Sequence, residues 1–310
     1  MSARLLQMSG IVVDLMYQVD AVPHPGEEAI VNGFSIAAGG GFNAMVAAKR
    51  AGMEVHYGGS LGNGPLAKIV RKALNTEAIP CLRATDRVRD QGCCTVMIDR
   101  TGDRTFVSGD GAEGHTTTRA LARLDPESFD WTMLSGYALH YPGSRSAFCK
   151  WLQSDAPAFR LVFDPSPVVA ALSAQALAAA RARATWISAN VREAAVMTGE
   201  TDPLQAAKAL ARHLPAEGGA IVRDGPNGCV VAAADDCEAI PGHPVVPVDT
   251  NGAGDSHLGS FVARLALGDS PMEAARYANV AAALSTTKHG PATAPERQDV
   301  IAAMNRIEAV

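Results

Sequence analysis

The sequence predicts an α/β fold: a doubly wound, mainly parallel sheet with helices on both faces, plus a small antiparallel β lid. Three observations point there. Short apolar runs alternate with alanine-rich stretches through most of the 310 residues, the rhythm of βα units stacked into a covered sheet. No tract rich in Pro, Gly and Ser cuts the chain, so 1–310 reads as a single domain. Two β-rich runs, Cys93 to Ile98 and Arg104 to Ser108, stand side by side with no helix between them. Such a pair breaks the βα alternation and fits a flap attached to a βα body.

The elements follow from local pattern. Leu5 to Val13 reads as a strand and Ile30 to Ile36 as another. Gly39-Gly40-Gly41 breaks the chain before a helix over Ala44 to Ala51. Glu54 to Ser60 is strand-like, and Pro65 suits the first turn of a helix running to Leu74. Asp99 to Asp103 is a hairpin turn between the two flap strands. The flap therefore takes in about 92–110. Further strands are expected at Trp131–Leu134, Arg160–Phe163, Thr185–Ser188 and Ala220–Val222, with a helix over Val168 to Arg181. Cys229 to Ala233 reads as part of a late antiparallel group, and Ala253 to Val310 as almost wholly helical. Ligands of such a sheet sit beyond the carboxyl ends of its strands.

Composition excludes several functions. Hydrophobic residues make up 47% and charged residues 19%, with a formal net charge of -5, values of a soluble enzyme rather than of a basic nucleic-acid binder. No apolar run reaches the length of a membrane span, and Met1 to Gly10 has no leader pattern, so a cytoplasmic protein is expected. Cys81, Cys93, Cys94, Cys149, Cys229 and Cys237 include no CxxC pair and read as free thiols of a reducing compartment. Neighbours Cys93 and Cys94 would face opposite sides of a strand. The eight histidines show no zinc spacing.

Four segments carry chemistry. Asp249-Thr250-Asn251-Gly252-Ala253-Gly254-Asp255 leads into an apolar helix, Leu258 to Leu267. The small residues Gly252, Ala253 and Gly254 let several N–H groups converge at a helix N-terminus, an anion hole suited to a transferring phosphoryl group. Asp255 beside it is placed to take a proton from an attacking hydroxyl; a plain glycine turn whose Asp caps the helix fits the same letters. Ala38 to Asn43 also precedes a helix, with glycines that allow close ligand approach and Asn43 supplying both donor and acceptor for sugar hydroxyls. A dinucleotide site is disfavoured there because the G-x-G-x-x-G spacing is absent. Asn190 and Glu193, just past a strand, can organise a hydrated Mg²⁺, although surface helices often begin this way. Arg223 to Gly228 is a tight turn between two strands.

Together these segments resemble the PfkB family of carbohydrate kinases, with the ribokinase-like fold, over nearly the whole chain. The glycine-rich AGGGFN near residue 40 and DTNGAGD near residue 250 match the two family signatures, with NVRE and RDGPNG in order between them. The resemblance implies an ATP- and Mg²⁺-dependent phosphotransferase acting on an alcohol group of a small sugar, with nucleoside phosphorylation as the alternative. It implies Asp255 as general base, Gly252, Ala253 and Gly254 as anion hole, and Asn190 and Glu193 around Mg²⁺ and phosphates. Arg223, Asp224, Gly225 and Gly228 would lie along the nucleotide, with Asn279 near the adenosine. Asp14, Gly39, Gly40, Gly41 and Asn43 match the sugar-binding set. The resemblance also makes the flap and the Ile30–Ile36 strand one β lid, about 15–37 and 92–110, that would exclude water, and its unpaired edges give a motive for a homodimer through it.

The departures are informative. Gly40 stands where ribokinases have lysine, Val12 where they have asparagine, and Tyr137 lies where they supply a sugar-binding glutamate. These changes separate the chain from the D-ribose pattern. Met45 and Ser260 depart from the signatures, and His257 takes a position that is often aromatic or small; a histidine packed behind the base is expected, with substrate contact as the alternative. Many relatives bind K⁺ beside the anion hole. Asp249, Asn251, Ser285, Lys288 and Gly290 match its ligand positions, whereas Ala294 lacks the last side-chain ligand.

Overall fold

The computed structural model describes residues 2–154 and 159–308. Twelve strands are present among them: β1 Arg4–Gln7, β2 Ile11–Val19, β3 Val31–Gly40, β4 Glu54–Tyr57, β5 Cys93–Ile98, β6 Arg104–Gly109, β7 Trp131–Ser135, β8 Leu161–Asp164, β9 Trp186–Asn190, β10 Gly219–Arg223, β11 Gly228–Ala233 and β12 Asp236–Pro241. The helices are α1 Gly41–Arg50, α2 Pro65–Thr76, α3 Thr118–Leu121, α4 Gly136–His140, α5 Pro142–Leu152, α6 Ala174–Arg183, α7 Val191–Thr198, α8 Pro203–Ala211, α9 Ala253–Ala266, α10 Pro271–Ser285 and α11 Arg297–Glu308. None is long and apolar enough to cross a membrane.

Eight strands form the body sheet in the order β12-β11-β10-β9-β8-β7-β1-β4. It is parallel from β10 to β4, while β11 and β12 close one end antiparallel, as expected for the Cys229 run. Strand residues alternate between two cores, one on each face. Leu5, Val162, Trp186 and Ile221 pack with α1, α9 and α10, whereas Leu6, Phe163, Ile187 and Val222 pack with α5, α6 and α8. The chain order reverses between β1 and β7, so the crevice of a doubly wound sheet falls at their carboxyl ends.

The other four strands form the lid, in the order β3-β2-β5-β6. Each hairpin, β2–β3 and β5–β6, is antiparallel, and the two are joined by parallel pairing of β2 with β5. The Asp99 carboxylate holds the expected hairpin turn by accepting from Thr101 N at 2.8 Å and Asp103 N at 3.1 Å. Cys94 faces the body, accepting from Ser108 Oγ at 3.1 Å, while Cys93 packs against the core. All six cysteines are free.

Three element expectations need correction. Leu5 to Val13 is two strands: β1 ends in the body, Met8 N donates to Met133 O, and the chain turns at Ser9-Gly10 into lid strand β2. The helix expected from Val168 starts at Ala174, because Ser173 caps that end by accepting from Ala176 N, and Pro167–Ala171 is a short 3₁₀ turn. The helical tail is interrupted between Ser285 and Arg297 by a loop that returns to the anion-hole segment, with Gly290 N donating to Asp249 Oδ2 at 2.9 Å.

Candidate active site

A cavity of about 380 Å³ opens where lid and body meet. Its floor is the carboxyl ends of five body strands, through Gln7, Ser135, Asp164, Asn190 and Arg223. Its roof is the lid face carrying Asp14, Cys94, Phe106 and Ser108, and the starts of α1 and α9 close one side.

The two helix starts lie together because Gly259 of α9 has no side chain: a Cβ there would stand 2.2 Å from Ala44 O of α1. Neither helix has a side-chain cap. Gly252 ends the preceding turn in the left-handed region with φ 74°, where L side chains are strained. Ala253 N makes a long turn bond to Thr250 O at 3.3 Å, and Ser256 N bonds Gly252 O. The N–H groups of Gly254 and Asp255 have no partner among the described residues, so this uncapped end concentrates the positive pole of α9 on the cavity.

Asp255 stands at that pole, half-buried, with Oδ2 accepting from Asn43 Nδ2 at 3.0 Å. Burial pushes its pKa up to about 7; the Asn43 bond opposes the shift, and the charge of Asp164 adds to it. Asp14, on the lid, is pushed up to about 6 by burial against a hydrogen bond from the Asn251 side chain. Gly39 makes room for it, since a Cβ at Gly39 would lie 2.1 Å from Asp14 Oδ2. Of the glycine loop, Gly40 and Gly41 line the cavity and Gly39 lies beneath Asp14.

Arg223 Nη2 lies 3.4 Å from Asp164 Oδ2 and 3.5 Å from Glu193 Oε2. Both separations are long for hydrogen bonds, and buried Nε has no partner, so the guanidinium keeps donor capacity. Nη1 hangs over the helix start: a Cβ on Gly254 would be 2.5 Å from it. Among the described lining residues Arg223 is the one Arg or Lys. Glu193 is held well above the usual carboxylate range by burial and by the Asp164 charge.

Asn190 and Glu193 form a complete capping box, with Glu193 N donating to Asn190 Oδ1 at 2.9 Å and Asn190 N donating to Glu193 Oε2 at 2.8 Å. The box fixes Glu193 on the cavity wall beside Asp164. Two carboxylates with an amide suit a hydrated divalent ion that takes its remaining ligands from phosphates and water. Among the described residues no cluster of three acidic, His or Cys side chains builds a metal cage.

Several expected site residues stand off the cavity. Asn279 is fully engaged within the protein, donating to Ile240 O and Pro241 O and bonded through Oδ1 to His257 Nε2 at 3.1 Å. His257 is buried behind the base and kept neutral, its pKa lowered to about 3 by burial, as expected of a packed histidine. Asp224, Gly225 and Gly228 form an outer turn after β10. Asp224 accepts from Asn227 Nδ2, and a Cβ on Gly228 would stand 2.1 Å from Ile240 O. Tyr137 does line the cavity, with Tyr141 at 6.2 Å between ring centroids.

Two members of the expected K⁺ set, Asp249 and the Ser285 carbonyl, already have partners within the protein. Asp249 Oδ1 accepts from Arg104 Nη2 at 2.6 Å and from Asn251 N at 2.9 Å, and Oδ2 accepts from Gly290 N. The Ser285 carbonyl accepts from Thr293 Oγ1 at 2.9 Å, and Lys288 N approaches it at 3.4 Å. A guanidinium already stands at the carboxylate.

Residues not foreseen include Asp164, Tyr141, Gln7 and Arg104. Asp164 closes a predicted parallel strand just before Pro165, and a carboxylate at that strand end was the available signal.

Residues 8–298 match the family model described as pfkB family carbohydrate kinase. The chain belongs to that family. Members transfer a phosphoryl group to sugar hydroxyls, so this pfkB kinase is a phosphotransferase with an alcohol group as acceptor. It is 28% identical to the uncharacterized sugar kinase YegV of Escherichia coli strain K12, over 98% of this chain and 94% of that one. It is also 28% identical to the ribokinase of Bacillus subtilis strain 168, over 90% and 91%. Among solved structures, the Vibrio cholerae O395 fructokinase with fructose, ADP and calcium bound superposes with TM-score 0.78 at 24% identity, covering 97% of this chain and 98% of that one.

Proposed function

We propose that this pfkB kinase transfers the γ-phosphoryl group of ATP to a hydroxyl, of primary type, on a small sugar. The uncapped start of α9 carries the reading. Open N–H donors at Gly254 and Asp255, the under-used Arg223 guanidinium and a carboxylate with a pKa of about 7 meet there. Asp255 takes the proton of the acceptor O–H as that oxygen bonds the γ-phosphorus, and the bond to ADP breaks with its electron pair leaving on the β-phosphate oxygen. The N–H groups and Arg223 meet the charge on the phosphoryl oxygens without reorganising. Asp164, Glu193 and Asn190 would hold Mg²⁺ through water, which when bound supplies charge neutralisation for the phosphates. Asp14, Asn43, Tyr137 and the Gly39–Gly41 backbone would hold the sugar under the lid.

An ADP-release assay across pentoses, ketohexoses, sugar acids and nucleosides, with phosphorylated acceptor identified by mass spectrometry, tests the reading. Acceptor-dependent ADP release with a matching phosphosugar is expected. ADP release without any phosphorylated acceptor, or none with any acceptor, would refute it; preference for a nucleoside would move the acceptor class.

A homodimer through the lid is part of the same proposal. Val31, Phe34, Ile36 and Val107 are exposed on its strands, and β3 and β6 leave unpaired edges. Light scattering at twice the 32.2 kDa chain mass is expected; a monomer mass would dismiss it.

A further inference from the structure

We propose that Arg104 is the resident cation of the loop beside the anion hole, so that this kinase closes its lid onto that loop and needs no monovalent ion. Arg104 opens lid strand β6, paired with Ile98 across the hairpin. Its guanidinium spans the gap to the body: Nη2 donates to Asp249 Oδ1 at 2.6 Å and Nη1 donates to Thr250 Oγ1 at 3.0 Å. Asp249 is 9% exposed, so its charge needs a partner. The same carboxylate holds both flanks of the anion-hole segment, through Asn251 N, next to Gly252, and through Gly290 N in the loop after α10. The Asp249 backbone N is held by Thr286 O at 2.9 Å.

A monovalent ion would have to displace a short, charge-assisted bond, and of the carbonyls expected to bind it the Ser285 one already accepts from Thr293 Oγ1. Arg104 therefore supplies locally what such an ion would supply, a positive charge on Asp249 that keeps the anion-hole turn in place. Unlike an ion, it is attached to the lid. Lid closure and ordering of the turn become one event, and Arg104 is a positioning residue acting through Asp249.

This inference rests on the kinase reading, and the test separates the two. Turnover and Tm of the whole protein are compared in potassium chloride and tetramethylammonium chloride, for wild type, Arg104→Ala and Arg104→Lys. Wild type is expected to show the same kcat and Tm in both salts. Arg104→Ala is expected to lose at least about tenfold in kcat/KM in tetramethylammonium, the scale of one charged hydrogen bond. Potassium or added guanidinium should restore part of that loss and raise the variant's Tm, while Arg104→Lys should retain more activity than Arg104→Ala. Strong activation of wild type by potassium, full activity of Arg104→Ala without potassium, or a folded but inactive Arg104→Ala that neither cation rescues would each overturn the proposal. If no acceptor is turned over, the kinase reading fails alone, and the Tm comparison still decides: a potassium-induced rise confined to Arg104→Ala supports the proposal, and any other pattern overturns it.

Discussion

As the proposed base, Asp255 would set a pH dependence that can be worked from its surroundings. A base with a pKa of about 7 is roughly one-eleventh ionised at about pH 6, so kcat/KM for the acceptor should fall about tenfold per unit below neutrality and level off above about pH 8. Replacing the carboxylate by an amide removes the base but keeps an oxygen to accept from Asn43 Nδ2, which now stands at 3.0 Å. Asp255→Asn should therefore fold and bind nucleotide. Its kcat should drop by about 10²–10⁴-fold, the range for a lost general base, or ~3–5 kcal/mol of barrier. The assay is coupled ADP release from about pH 5.5 to 8.5, with Tm and nucleotide affinity measured on the same preparations. A flat wild-type profile, or more than about a tenth of wild-type kcat in the variant, would refute the role.

Gly39→Ala should place a methyl group on Asp14 Oδ2; KM for the sugar should rise at least about tenfold with KM for ATP unchanged, and an unchanged sugar KM would remove Asp14 from the sugar site. Asn190→Ala breaks a capping box and should lower stability by about 1 kcal/mol, a few degrees in Tm; a raised KM for Mg-ATP should accompany it, whereas a change in Tm alone would reduce Asn190 to a cap. Asp14 has a folded pKa of about 6, above its unfolded value of about 3.9. The native state therefore binds more protons in that window, and this contribution to ligand-free stability, complete below about pH 4, is lost as pH rises through about 6. Accordingly the Tm of Asp14→Asn relative to wild type should climb between about pH 4 and 7; a constant difference would show that the carboxyl is not shifted.

The parts of the site that were legible in the sequence are those in which backbone and side chain need the same residues. Gly252, Gly254 and Asp255 could be read together because an uncapped helix start needs small residues, and Asn190 with Glu193 because both stand just past a predicted strand end; that they also form a capping box was added by the structure. Tertiary partners were not legible. Leu5 to Val13 looked like one strand because apolar residues continue across Ser9-Gly10, and the switch from body to lid depends on where β7 and β5 lie. Asp164 and Arg223 became a pair through the ends of β8 and β10, which flank β9 in the sheet and lie 59 residues apart in sequence. Arg104 meets Asp249 across 145 residues, a distance over which no local pattern reports. Asn279 matched a family position, yet its hydrogen bonds are all taken up by His257 and the end of β12.

The parallel joint between β2 and β5 has a consequence for engineering acceptor choice. The lid comes from two segments separated by the whole of α1, β4 and α2, and the joint aligns Asp14 with Cys94 in a fixed register. A lid from another pfkB kinase could not be transplanted as one contiguous cassette. Both hairpins would have to move together, with the pairing of Val13 to Cys93 through Gln18 to Ile98 preserved. A graft of the first hairpin alone would bring a foreign Asp14 neighbourhood under a resident Cys94, Phe106 and Ser108, mixing two cavity roofs in one.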